Sequence, residues 1–372
     1  MNILFVVKWY GEKDKDFFTG NFHYELAREI QKKHNVAIYF PFDYSISENN
    51  ILYGYEGGIL TFRSNLGLSK LSKIIHLYKD MKCILRKFNP NIVHAHVIDG
   101  AGTVSFVAKK FFGLPYILTE HAPIEMMNLS KKNRIKTKII LKKSSCNVAV
   151  STDLQEKLNQ IYPKSNFICI FNGVIDPYSV MHKEFEDVKD TNCINAIIVC
   201  GLYSKTIKGL QYLLPAVQEI NKTSKKMHLH ICGGGTYLDY FLGMANDLGL
   251  QESVTFYGMC DKPKLFAILN QMDFAISSSL FESAGVFVEE ACMMGKPLVI
   301  TKSGGANSLI PEEFSIQVDK GSTEALISAL EKMIKQYNSY NSEQIKEYGF
   351  EKFEMNNICD LYNNVYESII NL

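Results

Sequence analysis

Short apolar runs alternate with amphipathic stretches of helical length along almost the whole chain, and this alternation constrains the fold most. The runs hold many β-branched residues, which is typical of buried strands. The stretches between them, such as NFHYELAREIQKKH, place apolar residues at helical spacing. The predicted strands are NILFVV, NVAIYF, NIVHAHV, YILTEH and CNVAVS in the first half, and AIIVCG, HLHICG, VTFYG, DFAISS and PLVIT in the second. Strands that alternate with helices predict parallel sheets built from βαβ units.

The alternation occurs twice, and 372 residues are too many for one ordinary hydrophobic core. A polar stretch that contains a proline, DPYSVMHKEFEDVKDTNCIN, separates the two halves. We therefore predict an α/β protein with two doubly wound, Rossmann-like domains that face each other across a ligand-binding cleft. The predicted boundaries are 1–178 for the first domain, 179–195 for a linker, 196–352 for the second domain and 353–372 for a C-terminal helix that packs back on the first domain.

The cysteine pattern and the hydropathy indicate the compartment. The nine cysteines are scattered and no two form a CxxC pair, so we expect neither a disulfide framework nor a zinc site, and a reducing cytoplasmic environment. The N-terminal apolar run stops at Lys8 and follows no basic region, unlike a signal peptide. No stretch of about 18 apolar residues occurs, so we expect any membrane contact to be peripheral, at the inner face of the cell membrane.

Positive charge is concentrated in the first half of the chain. Residues 1–180 hold 24 Lys and Arg against 15 Asp and Glu, and the remaining residues hold 16 against 24. Much of the excess lies in LSKKNRIKTKIILKKSSC, where lysines alternate with isoleucines. This pattern fits either a solvated helix face or a basic amphipathic helix on anionic lipid. No nucleic-acid-binding module is recognisable, so we expect no nucleic-acid partner.

The segment SSSLFESAGVFVEEACMMGKPLVITKSGGANSLI, residues 277–310, carries the densest set of functional side chains. We predict a strand that ends at the serines, a loop with Glu282 and Gly285, and a helix from Val286 that carries Glu290. Backbone N–H groups at such a helix start, opened by small residues, suit a diphosphate or a sugar hydroxyl. The alternative is that Glu282 only caps the helix and that Glu290 is solvated.

Glu282, seven further residues and then Glu290-Ala, followed by Gly-Lys-Pro and Ser-Gly-Gly, resembles the donor-binding signature of glycosyltransferase family 4. The resemblance implies that Glu290 holds the donor ribose and Glu282 the transferred sugar. It also implies donor contacts along the loop and helix start, at Ser283, Ala284, Gly285 and Val286. Further similar segments cover nearly the whole chain: VCGLYSKTIKGLQYLLPAV, ICGGGTYLDYFLGMANDLGLQESVTFYG, NPNIVHAHVIDGAGTVSFVAKKFFGLPYILTEHAP, VSTDLQEKL and IFNGVID.

The family has the GT-B fold, and the resemblance implies an acceptor-binding first domain and a nucleotide-sugar-binding second domain. The implied activity is that of a retaining, metal-independent hexosyltransferase, which moves a sugar from a nucleotide diphosphate to a glycan or lipid-linked acceptor. We expect no cofactor beyond this co-substrate and a setting in bacterial surface polysaccharide assembly. Two alternatives are a nucleotide-sugar epimerase of similar fold and a catalytically degenerate nucleotide-sugar-binding protein.

Lys208 lies between a predicted strand and a predicted helix, where its ammonium can reach a ligand beside a helix N-terminus. A cation fixed there stabilises the negative charge that develops on a departing phosphate. The alternative is a solvated loop lysine. The resemblance places Lys208 at the family's diphosphate-binding lysine and implies donor contacts in the neighbouring segments at Gly201, Lys205, Gly233 and Gly234.

Two positions depart from the family pattern. Leu202 stands where the family has an arginine that acts on the diphosphate, and Lys205 is the candidate to replace that charge. Ser308 stands where the family commonly has a glutamate. Both departures concern the affinity for the donor or its identity.

In the first half, Gly20-Asn21 precedes a predicted helix, where the family has a glycine-rich loop near the donor phosphates. The alternative is that Asn21 only caps the helix. His121 ends a predicted strand and matches the family's histidine near the transferred sugar, with Glu120 as a weaker candidate beside it.

Metal binding is not expected in the first half. His94 and His96 alternate on one predicted strand, but no third metal ligand is apparent from the sequence, so polar contacts are the preferred interpretation. The triplet Asp14-Lys15-Asp16 superficially resembles a metal-binding Asp-x-Asp, but it lies in a charged loop of the wrong half.

Overall fold

We describe the protein from a computed structural model, in which residues 1–11, 20–47, 50–67, 70–182, 184–222 and 226–371 are described. The chain divides into two compact units. The first comprises Met1–Gly173 and Met355–Leu372, and the second comprises Val174–Glu354. The triplet Asp14-Lys15-Asp16 lies outside the described residues.

The first unit is built on an eight-stranded sheet with the order β3-β4-β2-β1-β5-β6-β7-β8. Its strands are β1 (Asn2–Val6), β2 (Asn35–Phe40), β3 (Ile51–Glu56), β4 (Ile59–Ser64), β5 (Ile92–His96), β6 (Tyr116–Glu120), β7 (Cys146–Ala149) and β8 (Phe167–Cys169). Its helices before the second unit are α1 (Asn21–Ile30), α2 (Lys70–Lys87), α3 (Thr103–Phe112), α4 (Lys131–Lys143) and α5 (Thr152–Ile161). Short helical turns occupy Ile98–Gly102 and Ile124–Met126. All strand pairs are parallel except β3 with β4.

All five strands predicted in the first half are present as β1, β2, β5, β6 and β7. The sequence did not indicate β3, β4 and β8. Strand β3 is an edge strand whose central residues are exposed, and β8 has only three residues, so neither has a clear apolar pattern. Tyr24 donates to the carbonyl oxygen of Gly57 in the β3–β4 turn at 2.9 Å, which ties this hairpin to α1.

The second unit has a six-stranded, all-parallel sheet with the order β11-β10-β9-β12-β13-β14. Its strands are β9 (Ile194–Val199), β10 (Met227–Cys232), β11 (Val254–Gly258), β12 (Phe274–Ser277), β13 (Leu298–Thr301) and β14 (Ser315–Val318). Its helices are α6 (Pro177–Val180), α7 (Leu210–Asn221), α8 (Leu238–Asp247), α9 (Lys262–Gln271), α10 (Val286–Met293), α11 (Gly305–Leu309), α12 (Thr323–Gln336) and α13 (Ser342–Phe353), with a short turn at Tyr337–Ser339. In order of appearance the strands therefore run 3-2-1-4-5-6, the doubly wound order of dinucleotide-binding folds.

The last helix, α14 (Met355–Ile370), packs on the first unit. The Tyr366 hydroxyl lies 2.7 Å from His94 Nδ1, and the Tyr362 hydroxyl lies 3.1 Å from Thr119 Oγ1. These contacts join the end of the chain to the buried strands β5 and β6.

Residues in the predicted linker contact the second unit. The N–H of Val188 donates to Gln271 Oε1 at 2.8 Å, and Lys189 Nζ lies 2.7 Å from a carboxylate oxygen of Asp273. All nine cysteines are free thiols. Among the described residues, no helix is both long enough and apolar enough to cross a membrane.

Candidate active site

The second unit offers a ligand site where its strand order reverses. Strand β9 lies between β10 and β12, so the connections after β9 and β12 leave toward opposite sides of the sheet. In open parallel sheets, ligands bind outside the carboxyl ends of the strands at this reversal point. Lys208 follows β9 and Glu282 follows β12, so the fold brings the two residues to this point.

Lys208 and Glu282 form an ion pair there, with 2.6 Å between Lys208 Nζ and Glu282 Oε1. The hydroxyl of Ser279 donates to the same carboxylate oxygen at 2.8 Å. Burial favours loss of the proton from Lys208, but the attraction and hydrogen bond to Glu282 outweigh it and raise the pKa of the ammonium. Lys208 therefore remains a cation at neutral pH. Its alternative interpretation as a solvated loop lysine is wrong, because its side chain is only 28% exposed.

The backbone around this pair is tightly held. Gly209 has φ 72°, and a Cβ there would lie 1.9 Å from the carbonyl oxygen of Ser278. The Ser278 hydroxyl in turn donates to the carbonyl oxygen of Lys208 at 2.8 Å. Only glycine permits this approach between the loop after β9 and the end of β12. The glycine therefore fixes where Lys208 begins its side chain.

Glu282 is anchored through its backbone to the loop after β13. Its N–H donates to the carbonyl oxygen of Ser303 at 3.1 Å, and its own carbonyl oxygen accepts from the N–H of Gly305 at 2.8 Å. Glu282 precedes α10 by four residues and makes no cap: the N-cap residue is Gly285, with φ 95°. The interpretation of Glu282 as a helix cap is therefore wrong.

Helix α10 begins at Val286, as the sequence predicted, directly after the small residues Ser283, Ala284 and Gly285. The first N–H groups of any helix have no partner within the helix and carry partial positive charge, which favours anionic ligands. Glu290 lies in the second turn of this helix and is buried, so it is not a solvated residue. Its carboxylate pairs closely with Lys262, the first residue of α9.

The other predicted donor residues lie in the loops after β9 and β10. Gly233 has φ 136°, and a Cβ there would lie 1.9 Å from the carbonyl oxygen of Cys200. Gly234 faces the flexible side chain of Met259, and Gly201 is exposed beside Tyr203. Gly233 is therefore required by the close approach of two backbone segments, whereas Gly234 is not.

The first unit places Gly20 and Asn21 at the start of α1, after β1. Gly20 is the N-cap residue with φ 66°, and its Cβ would collide with the carbonyl oxygen of Trp9. Asn21 is the first helical residue and donates from Nδ2 to Glu25 Oε1 at 2.6 Å. Asn21 is therefore not the helix cap.

His121 follows β6, and its Nε2 lies 3.1 Å from Nδ1 of His96. Burial lowers the pKa of His121 to about 3, although Asn172 opposes this by hydrogen bonding. The imidazole is therefore neutral at physiological pH and suited to hydrogen bonding. Beside it, Glu120 accepts hydrogen bonds from the N–H groups of Ile98, His121 and Ala122. Burial raises the pKa of Glu120 to about 7, and its role is to hold the loops after β5 and β6 together.

Ring nitrogens of His23, His96 and His121 lie within 4.8 Å of one another and could hold a metal ion. The sequence alone did not show this third ligand for the histidine strand, because His23 comes from α1. His94 instead lies between Tyr366 and Thr119, which supports the polar-contact interpretation for that residue. Asp190, Cys193 and His228 form a second group of this kind.

Comparisons with known proteins agree with this geometry. Residues 186–352 match the family model described as glycosyl transferases group 1, and residues 19–176 match the one described as glycosyltransferase family 4. The chain is a GT4-type glycosyltransferase with the GT-B fold.

Individual relatives of this glycosyltransferase are distant. An uncharacterized glycosyltransferase of Methanocaldococcus jannaschii is 25% identical over 60% of this chain and 60% of its own. The GPI3 subunit of a phosphatidylinositol N-acetylglucosaminyltransferase of Saccharomyces cerevisiae is 23% identical over 68% and 57%. The chain thus spans less than two thirds of the length of these curated relatives. An Anabaena protein solved with UDP and glucose has a TM-score of 0.78 and 16% identity, over 98% of this chain and 99% of its own.

The two departures of this glycosyltransferase from its family have structural explanations. Leu202 is fully buried in the core of the second unit, so its side chain cannot reach a diphosphate. The ammonium of Lys205 lies 4.3 Å from the ring centre of Tyr240 and 5.5 Å from that of Tyr237. The Ser308 hydroxyl donates to the carbonyl oxygen of Gly305 within α11 at 2.8 Å.

Proposed function

We propose that this glycosyltransferase is a retaining, metal-independent hexosyltransferase that uses a nucleoside diphosphate sugar. The observation that carries the proposal is the Lys208–Glu282 pair at the reversal point of the second sheet, beside the start of α10. A fixed ammonium and free helix N–H groups together suit a diphosphate, and a carboxylate beside them suits sugar hydroxyls.

In the proposed reaction, Glu290 accepts hydrogen bonds from the ribose, and Glu282 binds hydroxyls of the transferred sugar. The bond between the anomeric carbon and the β-phosphate oxygen breaks, and the acceptor oxygen forms the new bond on the same face. The acceptor proton passes to the departing phosphate. Lys208 and the α10 N–H groups stabilise the charge that grows on that phosphate.

Residues of the first unit have separate proposed roles in this reaction. Neutral His121 binds a hydroxyl of the transferred sugar, and its low pKa supports hydrogen bonding over proton transfer. The start of α1, at Gly20 and Asn21, contributes N–H groups for the donor phosphates. Because protein cations and helix N–H groups supply the positive charge, the proposed mechanism needs no divalent metal.

The proposed acceptor is a glycan or a lipid-linked sugar, in keeping with surface polysaccharide or glycolipid assembly. Helix α4 supports contact with an anionic membrane, because it contains seven Lys and Arg residues and no Asp or Glu. Ile135 and Ile139 on this helix are 62% and 49% exposed. The phosphatidylinositol in the name of the yeast relative is consistent with a lipid acceptor.

The proposal is tested by incubating the protein with UDP-, GDP- and ADP-hexoses, with and without glycan and glycolipid acceptors and EDTA. We expect transfer from one donor class, insensitivity to EDTA, and an unchanged anomeric configuration by NMR. An epimerised donor formed without acceptor would favour the epimerase alternative. Donor binding without transfer to any acceptor would favour the degenerate protein, which the buried Leu202 also supports.

A further inference from the structure

The sequence gave no indication of Lys262, yet it makes an ion pair within the predicted donor-binding set. Its ammonium contacts the carboxylate of Glu290 closely, and the two side chains are 19% and 3% exposed. Lys208 pairs with Glu282 in the same unit. Both carboxylates of the donor-binding signature thus have a lysine as counter-charge.

We propose that Lys262 is a positioning residue for the donor ribose, acting through Glu290. It keeps the buried carboxylate ionised and directed so that this group can accept hydrogen bonds from ribose hydroxyls. The inference rests on the proposed function, since it assumes that Glu290 binds the ribose.

The electrostatic argument begins with the burial of Glu290. A carboxylate withdrawn from water without a counter-charge takes up a proton instead of remaining charged. A protonated carboxyl carries a hydrogen on one oxygen and is a weaker acceptor for two hydroxyl groups. Lys262 supplies the counter-charge, so Glu290 can act as an acceptor on both oxygens.

The position of Lys262 is fixed by its local structure. The carboxylate of Asp261 caps α9 by accepting from the N–H of Lys264 at 3.0 Å, and Pro263 lies in the first turn. The ammonium of Lys262 also lies 5.7 Å from the ring centre of Phe266. Lys262 is therefore held at the start of the helix, and it is the more exposed member of the pair. A ligand that approaches Glu290 from solvent meets its ammonium first.

Calorimetric binding of UDP, GDP and ADP and of their 2′-deoxy counterparts tests the inference. We expect Lys262→Met to weaken binding of the preferred ribonucleotide by about tenfold to a hundredfold, the usual effect of losing a charge-assisted hydrogen bond. Binding of the deoxynucleotide should change less, so the preference for ribose falls. Lys262→Arg should keep most of it.

Lys264→Met is the matched control, because Lys264 lies two residues away on the same helix and faces the ring of Tyr257. It should leave both affinities unchanged. In a Glu290→Gln background, which removes the uncompensated charge and so protects the fold, Lys262→Met should cause no further loss of ribose preference.

Three results would overturn the inference. An equal loss for ribonucleotide and deoxynucleotide would make Lys262 a general electrostatic residue. A further loss in the Glu290→Gln background would mean that Lys262 does not act through Glu290. If the unaltered protein bound none of the nucleotides, the proposed function would fail first and the inference with it.

Discussion

Replacing Lys208 with methionine removes its charge while keeping most of its length. The lost contact is the 2.6 Å ion pair with Glu282, whose side chain is 17% exposed. An exposed pair contributes about 0.2–1 kcal/mol, and stranding a fully buried charge costs about 3–5 kcal/mol. Because the pair is partly buried and Ser279 still donates to Glu282, we expect Lys208→Met to lower the free energy of unfolding by about 1–3 kcal/mol.

The pH dependence of this stabilisation has a definite sign. The pKa of Lys208 is raised in the folded protein, so its contribution is complete at neutral pH and is lost only as the pH rises through that raised pKa. Amide hydrogen exchange in β9 and β12 measures unfolding of the second unit. A double-mutant cycle with Glu282→Gln should give a coupling free energy of about 1 kcal/mol or more. Additive effects of the two substitutions would refute the reasoning.

Lys208→Met should also reduce sugar transfer by about a hundredfold to a thousandfold, as expected for loss of a group that stabilises developing charge. The effect should be larger on kcat than on KM, because the phosphate gains charge as the bond breaks. Initial rates with the preferred donor measure this. Unchanged turnover would remove Lys208 from the proposed site.

Three further predictions concern the fold around the site. Gly233→Ala should cost about 3 kcal/mol or more in thermal unfolding, because its Cβ meets a carbonyl oxygen at 1.9 Å, whereas Gly234→Ala should cost about 1 kcal/mol or less. Because burial lowers the pKa of His121 to about 3, acidification from pH 7.5 to pH 5 should cost up to about 2 kcal/mol through this residue; His121→Asn should remove that loss in urea unfolding, and an unchanged pH slope would contradict it. Tyr366→Phe leaves His94 Nδ1 without its hydroxyl partner and should cost about 1–3 kcal/mol in urea unfolding; no change would contradict the role of α14.

Strand-and-helix alternation was enough to predict the two parallel-sheet domains, because buried parallel strands are continuous apolar runs. It could not predict the β3–β4 hairpin, whose residues such as Tyr55 are largely exposed. Nor did it indicate that α14 binds the buried histidine strand through Tyr362 and Tyr366, since those contacts join residues far apart in the chain.

The site could be predicted only in part. The spacing of Glu282 and Glu290 identified the two carboxylates, but not the lysines that neutralise them. Lys262 lies 28 residues before Glu290, and only the parallel sheet brings α9 beside α10. In the same way, only the packing of α1 against the sheet brings His23 to His96 and completes the group of three imidazoles. Contacts of this kind depend on tertiary structure and leave no local pattern.

The central claim is that the second unit binds a nucleoside diphosphate sugar through Lys208, Glu282 and Glu290 without metal. The most direct measurement is the melting temperature against a panel of nucleoside diphosphates and their sugars, with and without EDTA, for the unaltered protein and Glu290→Gln. Binding to the folded state raises the melting temperature by mass action. The account predicts a rise for one nucleoside diphosphate and its sugars that is unaffected by EDTA and lost in Glu290→Gln. A rise that requires divalent metal, or that persists in Glu290→Gln, would contradict it.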